Sequence, residues 1–236
     1  MTVRKHDLTG TIEYPVSDDQ PFGETDLHAQ LLIDLRFALR AHFRHDPRTY
    51  AAGNMLMYYV EGDATKCNAP DVFFVRGVSK EPPREIWKVW EESKAPDVIF
   101  EISSRHTWEQ DLQKKWRVYE EIGVREYYIY DPWCSYLPRP LMAWRHEGGG
   151  FISVAVIQGV VQSAALGLDL VDTGETLRLR DPHTGHFLCT EAEEVERAER
   201  EAERATREAE ARADAEARAA RLAARLRELG IDPDQV

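Results

Sequence analysis

Apolar residues at Leu27, Leu31, Leu35, Ala38 and Leu39 recur at three- and four-residue spacing, which predicts an amphipathic helix over about residues 24–43. The period then shortens. Residues 55–60, 71–75, 86–90 and 98–102 are brief runs of aromatic and β-branched side chains divided by Gly, Pro and Asp, the pattern of strands. Helical spacing returns from about Trp108 to Ile122 and stops at Gly123, a C-capping glycine. A strand over 126–130 follows, closed by Asp131-Pro132. A hairpin then pairs 141–145 with 151–157 around three consecutive glycines, and smaller strands, 177–179 among them, close the body. Helix, strands, helix and more strands make a mixed α+β (α/β) fold with a central sheet.

From about Thr190 the pattern changes to Ala, Glu and Arg, which favours one helix through Leu229, ended by Gly230 and Pro233. About 40 residues at ~1.5 Å each would span about 60 Å. The seam Val195, Ala198, Ala202, Ala205, Ala209 breaks register before Ala215, Ala219, Leu222, Leu226, Leu229, and most of its positions are alanine. Two readings stay open: a self-associating coil, which would make a homodimer, or a solvated helix held by Glu/Arg pairs. The expected organisation is a body over residues 1–189 and a helical tail over 190–236.

The 236 residues carry a net charge of −12. Residues 191–236 hold 14 acids and nine bases, so the body itself carries −7. That argues against binding nucleic acid through a uniformly basic surface. It leaves room for clustered carboxylates around a divalent ion, whose charge reverses the local field. No apolar run is long enough for a membrane span, and residues 1–10 lack the apolar core of a secretory signal. Cys67, Cys134 and Cys189 are scattered, with no CxxC pair. The expected setting is therefore cytoplasmic, with no membrane partner.

Alternation along 97–103 puts Val98, Phe100 and Ile102 on one face of a strand and Asp97, Ile99, Glu101 and Ser103 on the other. Glu101 is thus mid-strand among apolar neighbours, where a carboxylate needs a partner such as a metal ion. Asp97 would lie roughly 13 Å away along the same strand, too far to share one ion. Asp71 opens a separate strand and can come alongside. On the second helix, Trp108, Leu112, Lys115, Tyr119 and Ile122 project into one arc, with Lys115 at the centre of this core-facing stripe. Lys114 points to solvent, and Asp111, one turn before Lys115, can pair with it. No HxxxH, HExxH, GxSxG or Walker lysine is present. Trp87, Trp90, Trp133 and Trp144 lie in strand settings and read as core.

The stretch PDVIFEISSRHTWEQDLQKKWRVYEEIGVREYYIYDP, with the upstream Ala69-Pro70-Asp71, resembles the signature block of the Uma-two family of restriction-endonuclease-like proteins, within the PD-(D/E)XK superfamily. The match is tight from about Asn68 to Pro132 and looser from Glu24 to Leu188. The resemblance implies a restriction-endonuclease-like mixed β-sheet flanked by helices and a metal-dependent endonuclease acting on DNA. It makes Asp71 and Glu101 the acidic metal ligands, with the Ile102 backbone carbonyl as a third donor to Mg²⁺, or Mn²⁺ in its place. The motif lysine expected two residues after Glu101 is replaced by Ser103, and Lys115 would supply the amine instead. It also brings Glu24 and His28, one turn apart on the first helix, near the site. Two other uses of the chain remain: a nuclease fold kept only for binding, or an assembly module built on the tail.

Overall fold

The computed structural model describes residues 12–15 and 25–230. The chain divides into two units, Met1–Thr190 and Glu191–Val236. The first unit opens with helix α1 (Asp26–His42), whose N-cap Thr25 side chain accepts from the His28 backbone N–H. Four short strands follow: β1 (Thr49–Ala52), β2 (Met57–Tyr58), β3 (Cys67–Asn68) and β4 (Val72–Arg76). Then come β5 (Trp87–Lys88) and β6 (Val98–Ile102). The next helical segment has three parts: α2 (Trp108–Gln110), a π-helical turn (Asp111–Lys115) and α3 (Trp116–Glu121). Six strands complete the unit: β7 (Glu126–Tyr130), β8 (Leu141–Glu147), β9 (Gly150–Val154), β10 (Val160–Ser163), β11 (Leu168–Asp172) and β12 (Leu177–Arg180).

The main sheet runs β1-β4-β6-β7-β8-β9. Its β6–β7 pair is parallel and its other pairs are antiparallel. Two three-stranded sheets, β3-β2-β5 and β10-β11-β12, accompany it. Both faces of the main sheet are covered, so β4, β6 and β7 are buried along nearly their whole length rather than alternating in exposure. On one face, Leu31, Leu35 and Leu39 of α1 pack with Phe74, Phe100, Tyr128 and Leu170. On the other, Phe73, Ile99, Tyr127 and Ile129 pack with Trp87 and Tyr119. This is the mixed, restriction-endonuclease-like architecture that the sequence predicts.

Several expectations need correction. The runs at 55–60 and 86–90 form only two-residue strands, β1 and β3 were not anticipated, and the smaller strands expected to close the body are β10, β11 and β12. The helix expected over 108–122 is not uniformly α, because a π turn interrupts it. Trp133 is 48% exposed rather than core. The start of the helix expected at Glu24 lies outside the described residues.

The second unit is α4 (Glu191–Glu228), which has no buried residue. Val195, Leu222 and Leu229 are exposed. Arg204–Glu208, Arg207–Glu203 and Arg212–Glu216 pair one turn apart along it. Among the described residues, no helix is long and apolar enough to cross a membrane.

Candidate metal centre

The register of β4 on β6 pairs Val72 with Phe100 and Phe73 with Ile99. One step further sets Asp71 opposite Glu101, where directly opposed like charges repel. Glu101 is 1% exposed and faces the layer that holds Ile99 and Tyr119. Its carboxylate is held from three sides. Oε1 accepts from the Tyr119 hydroxyl at 2.7 Å, Oε2 accepts from Lys115 Nζ at 2.8 Å, and the Asp71 backbone N–H lies 3.4 Å from Oε2. Asp71 Oδ2 in turn accepts from the Ile102 backbone N–H at 2.7 Å. His28 reaches in from α1, with Nε2 3.5 Å from Asp71 Oδ2.

Lys115 sits between two acids. Its Nζ is 2.8 Å from Glu101 Oε2 and 2.9 Å from Asp111 Oδ1, and its side chain is only 14% exposed. Among the described residues neither Asp111 carboxylate oxygen has a hydrogen-bond partner besides this close ion pair, although the residue is 1% exposed. Asp111 and Lys115 stand at i,i+4, the spacing that sets two side chains side by side, and they are the first and last residues of the π turn. The Tyr127 hydroxyl donates to the Asp111 backbone carbonyl at 3.0 Å and ties the turn to the sheet. Lys115 of the expected stripe is turned inward, and Asp111 pairs with it from one turn earlier as the spacing predicts. Trp108, Leu112 and Ile122 of the expected stripe are only half-buried.

These groups set each other's charge. Burial pushes the Glu101 carboxyl up to about 8, against the pull of Lys115 and with the added repulsion of Asp71 and Asp111. Asp111 is raised for the same first reason, burial. Burial alone would lower Lys115, but the carboxylates of Glu101, Asp111 and Asp71 together hold it well above its ordinary value, so it stays an ammonium. Tyr119 is raised well above its usual range by burial and by Glu101, and remains a donor.

Asp71, Glu101, Lys115, Asp111 and His28 are thus brought together. Ser103 is buried nearby, its N–H donating to the Tyr130 carbonyl at 2.7 Å. Its hydroxyl has no partner among the described residues. Glu24 lies outside the described residues. Asp97 is engaged elsewhere, accepting from the Arg76 N–H at 2.6 Å and pairing with Lys94 and Arg125. Lys114 is exposed.

Two contributors were missed. Tyr119 read only as a core aromatic, yet it fixes one Glu101 oxygen. Gly53 backs the Asp71 backbone so closely that a Cβ there would lie 2.2 Å from the Asp71 carbonyl oxygen. The small run Ala51-Ala52-Gly53 was its only trace in the sequence.

Among the described residues, no group of three His, Cys, Asp or Glu side chains is arranged to hold a metal ion. The donor set is instead two carboxylates and adjacent backbone. That suits Mg²⁺, which is commonly bound through one or two carboxylates with water and substrate oxygens completing the shell. Three buried acids surround one ammonium, and a divalent cation would favour the ionised forms of the raised Glu101 and Asp111 carboxyls.

No curated protein matches the chain. A crystal structure of a "putative nuclease belonging to DUF820" from Anabaena variabilis ATCC 29413 is similar at 15% identity. That similarity covers 66% of this chain and 78% of that one, with a TM-score of 0.44. The family model described as "Uma2: Putative restriction endonuclease" matches residues 12–150, which include the whole acidic cluster and its lysine. A match over more than half of the sequence shows that the chain belongs to the Uma2 family.

Proposed function

We propose that the protein is a metal-dependent endonuclease that hydrolyses DNA phosphodiester bonds, with Mg²⁺ as its ion and Mn²⁺ as a substitute. The observation that carries this reading is the convergence of Lys115 on the buried Glu101 carboxylate beside Asp71. Asp71, Glu101 and the Ile102 carbonyl would hold the ion. When bound, it supplies Lewis acidity toward the phosphate and lowers the pKa of a bound water. The chain's own residues do the rest. Lys115, kept as an ammonium, offers positive charge where the phosphate becomes more negative. Asp111 also pairs with the Lys115 amine, and Tyr119 fixes the remaining Glu101 oxygen. Ser103 is too short to replace the motif lysine, so the amine reaches the site from the helical segment rather than from the strand.

Plasmid nicking with Mn²⁺, run beside calorimetric metal titration, tests this. Asp71→Ala and Glu101→Ala each remove a hard oxygen ligand and should weaken ion binding and abolish cleavage together. Lys115→Ala should keep or tighten ion binding while cleavage collapses, and Lys114→Ala should behave as wild type. Cleavage that survives Glu101→Ala, or falls equally in both lysine variants, would overturn the assignment.

A further inference from the structure

The acidic cluster lies near the N-terminal end of α1, through His28. The other end of that helix carries the opposite charge. Arg36 and Arg40 are one turn apart on α1, and Arg44 stands in the turn that follows it. Among the described residues, none of the three forms an ion pair with an acid. The Arg36 side chain makes no hydrogen bond among them, and the Arg44 Nε bonds only His45. Arg40 Nε donates to the Ala51 carbonyl at 2.8 Å, which pins its guanidinium along β1, the edge strand of the main sheet. Arg40 and Arg44 line a groove of about 490 Å³ along that edge, joined by Lys80 and Arg84.

Most of this charge has no acidic counterpart. Arg84 is neutralised by Glu92, but Lys80 Nζ meets only the backbone carbonyls of Phe43 and Arg44, at 2.7 and 3.0 Å. Asp46 is paired with Arg76, which leaves Glu81 as the acid in the groove. The Arg40 guanidinium is lowered by burial and then by its neighbour Arg36, a sign of positive charges crowded on one another. One or two cations at a helix C-terminus are accounted for by the helix dipole. A row of like charges one turn apart is destabilising, and a fourth cation beside it adds to the repulsion. In a body of net −7 this concentration of unpaired cations is local, and it fits a polyanion.

We propose that the Arg36, Arg40, Arg44 and Lys80 surface along α1 and the β1 edge is a track for the phosphate backbone of the nucleic-acid substrate. Along the axis of α1, Arg36 and Arg40 stand about 12 and 18 Å from His28 at ~1.5 Å per residue. A duplex with one phosphate at Asp71 and Glu101 would therefore run its neighbouring phosphates past the arginines. The track lets an acidic protein hold a polyanion without a generally basic surface. The identity of the ligand rests on the nuclease reading above, whereas the anion-binding chemistry does not.

The test is fluorescence anisotropy on a labelled duplex in EDTA, where no cleavage occurs, over a range of salt concentrations. Arg36→Gln with Arg44→Gln removes two cations that hold no carbonyl of the fold, and Arg40 is left in place because it pins Ala51. Each lost phosphate contact lowers the slope of log affinity against log salt by about 0.9, so the pair should lower it by about 1.8 and weaken binding about 60-fold at 0.1 M salt. Arg200→Gln with Arg204→Gln on α4 is the charge-matched control and should change neither. An unchanged metal titration and thermal melt in the α1 variant would show that the fold and the acidic site persist. Equal affinity in wild type and the α1 variant overturns the track, as does a wild type that binds no duplex. Displacement of the duplex by inorganic phosphate at the same charge concentration also overturns it, in favour of a small-anion pocket. Arginine-dependent duplex binding without Mn²⁺-dependent nicking upholds the track and overturns the nuclease reading.

Discussion

Removing the Lys115 ammonium should be costly to stability before it is costly to anything else. Lys115→Met preserves most of the packing volume but strips the cation from among Glu101, Asp111 and Asp71. Glu101 and Asp111 are each 1% exposed, and the lysine side chain itself is only 14% exposed. Breaking a buried pair by removing one partner costs about 3–5 kcal/mol, because the other charge stays buried without compensation. Lys115 keeps a little water contact, so the lower end, about 3 kcal/mol, is expected. Over a body of this size that corresponds to a fall of roughly 6–12 °C in Tm, at about 2–4 °C per kcal/mol. The assay is urea unfolding and thermal melting in EDTA, with Lys114→Met as the exposed control, expected within about 0.5 kcal/mol of wild type. Lys115→Met combined with Glu101→Gln should cost less than the two single losses added, because the charge that needed the ammonium is gone. A Lys115→Met protein as stable as Lys114→Met would refute the reasoning, as would strict additivity in the double variant.

Other outcomes follow from neighbouring features. Glu101 is raised from its ordinary 4.5 to about 8, so folding favours its protonated form. Its contribution to stability should be full below about pH 4.5 and fade as pH rises toward 8. The Tm difference between wild type and Glu101→Gln, followed across that window without metal, reads it; a flat difference would refute it. Gly53→Ala should push the Asp71 backbone aside and weaken Mn²⁺ binding at least tenfold by calorimetry, since an added Cβ meets the Asp71 carbonyl at 2.2 Å. Gly123→Ala, at φ +82°, should cost about 1–2 kcal/mol in chemical denaturation and leave metal affinity alone. Truncation after Thr190 should leave a body that still unfolds cooperatively, because α4 contributes no buried residue; loss of the cooperative melt would contradict that boundary.

What could be read from the chain depended on whether local pattern or tertiary context decided each element. β6 was legible because its residues are apolar and β-branched, and the single acid among them drew attention to Glu101. Lys115 was legible because a charge in an apolar stripe is itself a signal. β1 was not, since Thr49-Tyr50-Ala51-Ala52 has little strand character of its own and is held by pairing with β4. The short strands β10 and β11 were legible only as smaller strands without bounds. Their docking depends on Glu126, which accepts from the Ser163 hydroxyl and from the backbone N–H groups of Ala164 and Ala165. The π turn illustrates a different limit. The Asp111–Lys115 pair follows from i,i+4 spacing, but nothing in Asp-Leu-Gln-Lys-Lys marks the turn itself, to which the Tyr127 hydroxyl donates from the sheet at the Asp111 carbonyl.

The parallel β6–β7 pair has a consequence for how the molecule comes together. Parallel neighbours cannot be joined by a tight turn, so residues 103–125 must cross over before the ladder from Val98–Glu126 to Ile102–Tyr130 can close. That crossover is the stretch that carries Asp111, Lys115 and Tyr119. Glu101 belongs to one strand of the ladder, and Tyr127, which anchors the π turn, belongs to the other. Closing the middle of the sheet therefore also delivers the ammonium to the carboxylates, once the crossover has brought the two strands together. A chain whose β7 has not yet docked has the acids but not the cation that reconciles them, so the cluster itself opposes any intermediate that stops short of that step.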